Sequence, residues 1–410
     1  MSKQKTILAT AYAVNPYKGS EDGMGWNFII QIARFNNVIA VTRENNRGNI
    51  EKYMAEVPDE RYKNIRFLYF DLPYWMRFWK KGGRGAMLYY WMWQRGVIPF
   101  IRRQKYSFDI VHNLNFHNDW TPSYLWKLGK PFVWGPVGHH PRIPAQYLAP
   151  YKKSYWIKDR LTWVIKKAFW KYSSALRKTA LKADVVCNMN RSVKDVLSLP
   201  GMQITMPSVA TEDFGYSKPV SHEKFTLISA GRLVPLKGFD LSIKAFARFM
   251  RQLPKAQRSD VELIIVGSGP EIEFYTNLCV SEGVKDLVTF VSWIERTALM
   301  QLFKSASAFL FPSHEGAGMV VAEALSFGLP VICLDNSGPG EFIDPSCGFA
   351  IPPQPYDETV KGLSIAIQTL YQQPQTHAEM CENARKHFKH HFHWDIRGEQ
   401  LNDIYKKLSA

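Results

Sequence analysis

The sequence predicts an α/β chain built as two Rossmann-like domains. Three observations predict it. At 410 residues the chain is too long for one ordinary core and suits two domains of about 200 residues. Short apolar runs alternate with helix-length amphipathic segments. The composition breaks near residues 206–220, where Pro207, Gly215 and Pro219 mark a linker.

In the first half, strands are expected at Thr6–Ala11, Asn37–Thr42, Ile65–Tyr69, 109–112, 131–134 and 184–188. In the second half, Phe225–Ala230, Val261–Val266, Val288–Val291, Ala308–Phe311 and 330–333 read as strands with clearer punctuation. Amphipathic segments separate them. In residues 240–253, Asp240 is placed to cap a helix, and Leu241, Ala245, Phe246 and Phe249 recur at helical spacing. Crossover helices on both faces of a parallel sheet follow.

Composition closes off several classes. Hydrophobic residues are 46% and charged residues 21%, values near the globular average, so the chain should fold rather than remain disordered. The opening MSKQKTILATAYAV is too short and too interrupted for a signal peptide. No window approaches 18 uninterrupted apolar residues, so any membrane contact is expected to be peripheral and the location cytoplasmic. Cys187, Cys279, Cys333, Cys347 and Cys381 form no CxxC pair and have no histidine at ligand spacing. A metal site and disulfides are therefore not expected, and the thiols read as small apolar residues of a reducing compartment.

The net charge of +16 is unevenly placed. Residues 1–200 hold 33 basic and 13 acidic side chains, a balance of +20, while the remainder carries −4. Within the basic half, residues 72–108 contain eight Lys or Arg, no acid and eleven aromatics, including Trp75, Trp79, Trp91 and Trp93. Residues 143–183 contain ten Lys or Arg and one acid, Asp159, with Ile157, Leu161, Ile165, Ala168 and Tyr172 at helical spacing. Such segments suit an anionic membrane surface. The alternative is that the aromatics fill a core beneath solvated cations. A basic face also attracts nucleic acid, but no recognition motif accompanies it, and no nucleic-acid partner is expected.

The chemistry concentrates in the second half. SAGRLVPLKGFD places Arg232 and Lys237 between strand and helix, with Gly231 and Gly238 permitting close backbone approach. Two cations in that loop suit a diphosphate. Further on, PSHEGAGMVVAEALSFGLPVIC carries Glu315 before a helix and Glu323 inside it. The glycine turn can aim the amides of Gly318, Met319 and Val320 at an anion. Glu323 lies among residues that look buried, so its carboxylate needs partners, and ribose hydroxyls would serve.

In the order GRLVPLKG, VGSGP, EGAGMVVAEALSFGLPV and SGPGEFI, residues 225–344 resemble family-4 retaining glycosyltransferases of the GT-B fold, in which two Rossmann-like domains face across a donor-binding cleft. The resemblance implies that Arg232 and Lys237 hold the donor diphosphate, that Glu323 binds the ribose and that Glu315 faces the donor sugar. It sets Val266, Gly267, Trp293 and Ile294 near the base, and the amides at 318–320 near sugar and phosphate. In NPYKGSEDGMGWNF, Gly23 and Gly25 match a glycine-rich loop that faces the donor phosphates. FHWDIRGEQLNDIYKKL looks like the family's closing helix, so the domains are expected as 1–207 plus 394–410, and 208–393. TRENNRGNIE and HNLNFHNDWTPSYLWKLGKPFVWGPVG resemble a bacterial, surface-polysaccharide subgroup. The acceptor-side group stays open among His112, His117 and His139. The activity implied is retaining, metal-independent transfer from a UDP- or GDP-sugar, with no further cofactor, to a sugar or lipid-linked acceptor at the inner face of the cytoplasmic membrane. An epimerase or phosphorylase of the same architecture, or a non-catalytic basic adaptor, are the competing readings.

Overall fold

The computed structural model describes residues 4–80, 82, 85–114, 118–215 and 224–408. The chain divides into two compact units, one formed by Met1–His139, Val164–Ser208 and Trp394–Ala410, the other by His140–Trp163 and Val209–His393. The helices that bear on function are α1 (Ser20–Ala33), α2 (Ala86–Gln104), α3 (Lys153–Tyr172), α4 (Phe239–Gln252), α5 (Arg296–Ser305), α6 (Met319–Ser326), α7 (Pro374–His391) and α8 (Trp394–Lys407).

The first unit holds a seven-stranded parallel sheet, β1 (Thr6–Ala11), β2 (Asn37–Thr42), β3 (Ile65–Tyr69), β4 (Ile110–Leu114), β5 (Phe132–Val137), β6 (Val185–Asn188) and β7 (Met202–Thr205), in the order 3-2-1-4-5-6-7. The order reverses between β1 and β4, which gives the Rossmann switch point. Helix α2 buries Tyr89, Tyr90, Trp93, Val97 and Ile101 in the core, and the Trp93 indole donates to the Phe70 carbonyl at 2.8 Å. Helix α8 closes this unit against α1. A Cβ on Gly398 would stand 2.4 Å from Gln31 Oε1, so a larger residue there would require the Gln31 side chain to shift. Trp394 meets Phe28 edge-on, and Asp395 pairs with Arg34 at 2.7 Å.

The second unit holds β8 (Phe225–Ala230), β9 (Val261–Val266), β10 (Val288–Val291), β11 (Ala308–Phe311), β12 (Val331–Leu334) and β13 (Gly348–Ile351), all parallel in the order 10-9-8-11-12-13. Alternate side chains of each strand feed different apolar clusters: Leu227, Leu310 and Ile332 enter one, Ile228, Phe309 and Val331 the other. That alternation explains the near-continuous apolar runs, since both faces are covered.

Several expectations change. Residues 140–163 join the second unit because Ile143, Tyr147, Leu148 and Tyr151 are buried in its core. Asp240 does not cap α4; Gly238 precedes the helix, and the Asp240 carboxylate is buried, accepting hydrogen bonds from Tyr151 at 2.6 Å and Tyr356 at 2.7 Å. Gly23 and Gly25 lie inside α1 rather than in a loop. A Cβ on Gly23 would stand 2.2 Å from the Lys18 carbonyl oxygen, a packing reason for that glycine. Strands β7 and β13 were not anticipated; each is an edge strand with one neighbour, and β7 is largely exposed.

Candidate functional site

In the second unit the order reverses between β8 and β11, and the two loops leaving the carboxyl ends of those strands carry Lys237 and Glu315. Ligands of open parallel sheets collect at such a place. The loops are stitched together. The Leu236 carbonyl accepts from the His314 amide at 2.9 Å and from the Ser313 hydroxyl at 3.2 Å. Gly238 has φ +68°, and a Cβ there would stand 2.1 Å from the Pro312 carbonyl oxygen. The Gly231 amide donates to Val266, and Gly267 packs so closely that a Cβ would meet the Gly231 oxygen at 1.9 Å. Glycine at 231, 238 and 267 therefore serves backbone approach, as the sequence suggested for the first two.

Lys237 Nζ lies 2.7 Å from Glu315 Oε2 and 5.1 Å from the Phe311 ring centroid. Its side chain runs along Gly231, where an added Cβ would be 3.0 Å from Cε. Both members of the pair are mostly buried. Arg232, by contrast, is exposed. Gly318 precedes α6, whose first amides, those of Met319 and Val320 among them, have no acceptor within the helix. The Gly316 amide donates to Nδ1 of His140 at 3.1 Å, so His140 supports the turn between Glu315 and Gly318.

Glu323 is 5% exposed, and the partner the structure supplies is Arg296 at the start of α5. Arg296 Nε donates to Glu323 Oε1 at 3.0 Å, its Nη2 donates to Thr211 Oγ1 at 3.0 Å, and its guanidinium lies 5.0 Å from the Phe214 ring centroid. Burial pushes the Glu323 carboxyl above its usual range, and Arg296 opposes that shift. Sequence reasoning missed Arg296; the basic residue two positions after Ile294, at a helix start, was the available signal. Trp293 is exposed and Ile294 is half-buried against the apolar cluster.

The first unit separates the histidines. His112 is fully buried, with Nδ1 2.6 Å from the Tyr405 hydroxyl and Nε2 2.8 Å from the Gly135 carbonyl. Burial lowers it to about 4, and it is a core residue rather than an acceptor group. His139 is buried beside Asp119, with Nδ1 2.7 Å from Oδ2, and Asn190 brackets its backbone. His117 lies outside the described residues. Elsewhere in this unit, a cavity of about 280 Å³ at the carboxyl ends of β1 and β2 is lined by Tyr12, Ala13, Glu21, Asp22, Arg43, Lys80, Gly82 and Ala86. Arg43 is held there by the Tyr12 carbonyl at 3.0 Å and lies over that ring.

The basic aromatic stretches also divide. In residues 72–108 the aromatics of α2 fill the core, while Tyr74, Trp75 and Phe78 before it are exposed. On α3, Ile157, Leu161, Val164, Ile165 and Tyr172 form an exposed apolar stripe, with Lys158, Lys167 and Lys171 exposed on the same helix. No helix among the described residues is long and apolar enough to cross a membrane.

Two parallel Rossmann-like sheets, one with paired charges and a glycine-led helix at its switch point, define a GT-B-type protein. Residues 212–387 match the family model of glycosyl transferases group 1, and over that segment the chain is similar to glycosyltransferases of the GT-B, family-4 type. It is 32% identical over 183 residues to a GDP-mannose-dependent monoacylated alpha-(1-6)-phosphatidylinositol monomannoside mannosyltransferase of Corynebacterium glutamicum, covering 42% of this chain and 45% of that one. The chain spans about half the length of such curated relatives. Its fold is similar to sucrose-phosphate synthase of Thermosynechococcus elongatus, with a TM-score of 0.65, 19% identity and 99% of both chains covered. It is also similar to HepE of Anabaena, solved with UDP, with a TM-score of 0.63, 14% identity, 98% of this chain and 100% of that one covered.

Proposed function

We propose that the chain transfers a sugar from a UDP- or GDP-sugar to a hydroxyl of a lipid-linked or polysaccharide acceptor, retaining the anomeric configuration. The observation that carries this reading is the Lys237 and Glu315 pair beside the first amides of α6, at the switch point of a parallel sheet. An ammonium, an exposed guanidinium at Arg232 and free helix amides together offset charge on a departing diphosphate. In the step proposed, the bond between C1 of the sugar and the phosphate oxygen breaks as the acceptor oxygen bonds to C1 on the same face. The acceptor proton passes to the diphosphate oxygen, so no protein nucleophile and no metal take part.

Glu323 is assigned to the ribose hydroxyls, with Arg296 sharing that carboxylate. Trp293, Ile294 and Gly267 are assigned to the base, and Gly318, Met319 and Val320 to sugar and phosphate. On the acceptor side, His139 is favoured over His112, because Asp119 fixes its tautomer as an orienting carboxylate does. Gly23 and Gly25 are assigned to the start of α1 on the donor side. Membrane attachment is assigned to the exposed stripe of α3 and to Tyr74, Trp75 and Phe78. Exposed apolar side chains beside lysines favour an anionic leaflet, each basic residue by about 1 kcal/mol. The relative that acts on a phosphatidylinositol mannoside supports a lipid-linked acceptor and a GDP-sugar; the neighbour solved with UDP supports the other nucleotide.

A thermal-shift series with UDP, GDP, ADP and their sugars tests the reading. A cognate nucleotide at 100 times its Kd stabilises by about 2.7 kcal/mol, and product should form only when an acceptor is added. No saturable binding of any nucleotide would overturn the proposal, and donor conversion without acceptor would replace it with an epimerase.

A further inference from the structure

The loop following β12 and the last turns of α7 bring together three side chains of the kinds that hold transition metals. Sγ of Cys347, a ring nitrogen of His387 and a carboxylate oxygen of Asp344 lie within 4.8 Å of one another. Asp344 Oδ2 is 3.1 Å from His387 Nδ1. The sequence reading expected no metal ligands, because His387 stands 40 positions beyond Cys347; the packing of α7 on the loop supplies the histidine.

The surroundings of His387 suit a cation. Its Nε2 meets the Phe342 carbonyl at 3.0 Å, and a carbonyl only accepts, so Nε2 carries the proton. A neutral imidazole has one N–H, which leaves Nδ1 as a lone pair. That lone pair faces a carboxylate oxygen, also an acceptor. Two acceptors at this distance repel unless positive charge joins them. A second ring proton is one solution. The Cys347 sulfur, fully buried in the same cluster, accepts from the Asp344 amide and donates to the Asp344 carbonyl, each at 3.5 Å; a metal would instead use it together with the other two donors.

We propose that Asp344, Cys347 and His387 bind a zinc-type divalent cation that ties the loop after β12 to helix α7. A mixed sulfur, nitrogen and oxygen set suits zinc among the common ions. Backing of the distal ring nitrogen by a carbonyl is the usual support of a ligating histidine. Zinc bonds of about 2.0–2.3 Å set tetrahedral ligand atoms roughly 3.3–3.8 Å apart, so side-chain shifts of about 1 Å complete the geometry. The Asp344 side chain is about half exposed and can make them, with its Oδ1 anchored by the Ser346 amide at 2.8 Å and hydroxyl at 2.5 Å. Water takes the fourth position. The same loop backs the donor-side turn, since a Cβ on Gly338 would stand 2.1 Å from the Glu315 carbonyl oxygen. The cation thus stiffens the wall behind Glu315.

The test uses the full chain, stripped with chelator and titrated with Co²⁺, then Zn²⁺. One equivalent of Co²⁺ should bind with a thiolate charge-transfer band in the near ultraviolet, Zn²⁺ should displace it, and Zn²⁺ should raise Tm. Cys347→Ser should abolish the band, and Asp344→Asn and His387→Gln should each weaken binding at least tenfold. Cys381→Ser is the control, because Cys381 Sγ lies 3.6 Å from His377 Nε2; it should leave the band intact. A wild-type chain without the band, or a band lost with Cys381 and not with Cys347, overturns the proposal. If Cys347→Ser does not fold, Asp344→Asn and His387→Gln decide, and unchanged affinity in both refutes it.

Discussion

Replacing Lys237 with Met removes the ammonium but keeps most of the side chain's bulk along Gly231. The wild-type ammonium sits 2.7 Å from Glu315, in a largely dry corner over Phe311. A charge-assisted hydrogen bond from it to a departing diphosphate contributes about 1.5–3 kcal/mol. The variant also leaves the Glu315 carboxylate without its counter-charge, facing an incoming anion. A total of about 2–4 kcal/mol corresponds to a loss of roughly 30-fold to 1000-fold in kcat/KM. Arg232→Met should cost less, about tenfold, because that side chain is exposed and solvent screens it. Initial rates of transfer at saturating acceptor, with Lys237→Arg retaining part of the activity, measure the effect. A folded Lys237→Met protein within threefold of wild type would refute the assignment of the diphosphate to this corner.

Arg296→Ala should destabilise in a pH-dependent way. Burial already raises Glu323, and losing Arg296 raises it further. A carboxyl raised in the folded state favours folding at acid pH and loses that advantage as pH rises. The deficit should therefore be small near pH 4 and reach about 1–2 kcal/mol at pH 7, reduced because Arg296 is half in solvent; equal deficits at both pH values in denaturant melts would sink it. His112 and His314 are both pushed down to about 4 by burial. Their stabilisation is complete above pH 6.5 and drains away as pH falls towards 4, on the order of 3 kcal/mol each. Tm against pH should flatten in His112→Gln and in His314→Gln. The pair Ile157→Glu with Leu161→Glu should cut cosedimentation with anionic vesicles at least tenfold, yet shift stability by less than about 1 kcal/mol, since both side chains are exposed; unchanged vesicle binding would clear α3 of a membrane role.

The sequence by itself determined what depends on neighbours along the chain. The apolar runs of β8, β9 and β11 read as buried parallel strands because both faces of the sheet are covered. The loop holding Arg232 and Lys237, and the glycine turn before α6, were legible because strand, turn and helix follow one another without a gap. Tertiary structure decided everything that requires a partner from elsewhere. Glu323 was expected to need partners, with ribose hydroxyls suggested; the partner in the fold, Arg296, comes from another helix, 27 positions away. Asp240 looked like a cap until Tyr151 and Tyr356 buried it. His112 and His139 were equal as letters; the first is locked by Tyr405 from the last helix, the second is oriented by Asp119. Local pattern encodes backbone geometry and burial, whereas the pairing of charges is set by which distant segments the two sheets bring side by side.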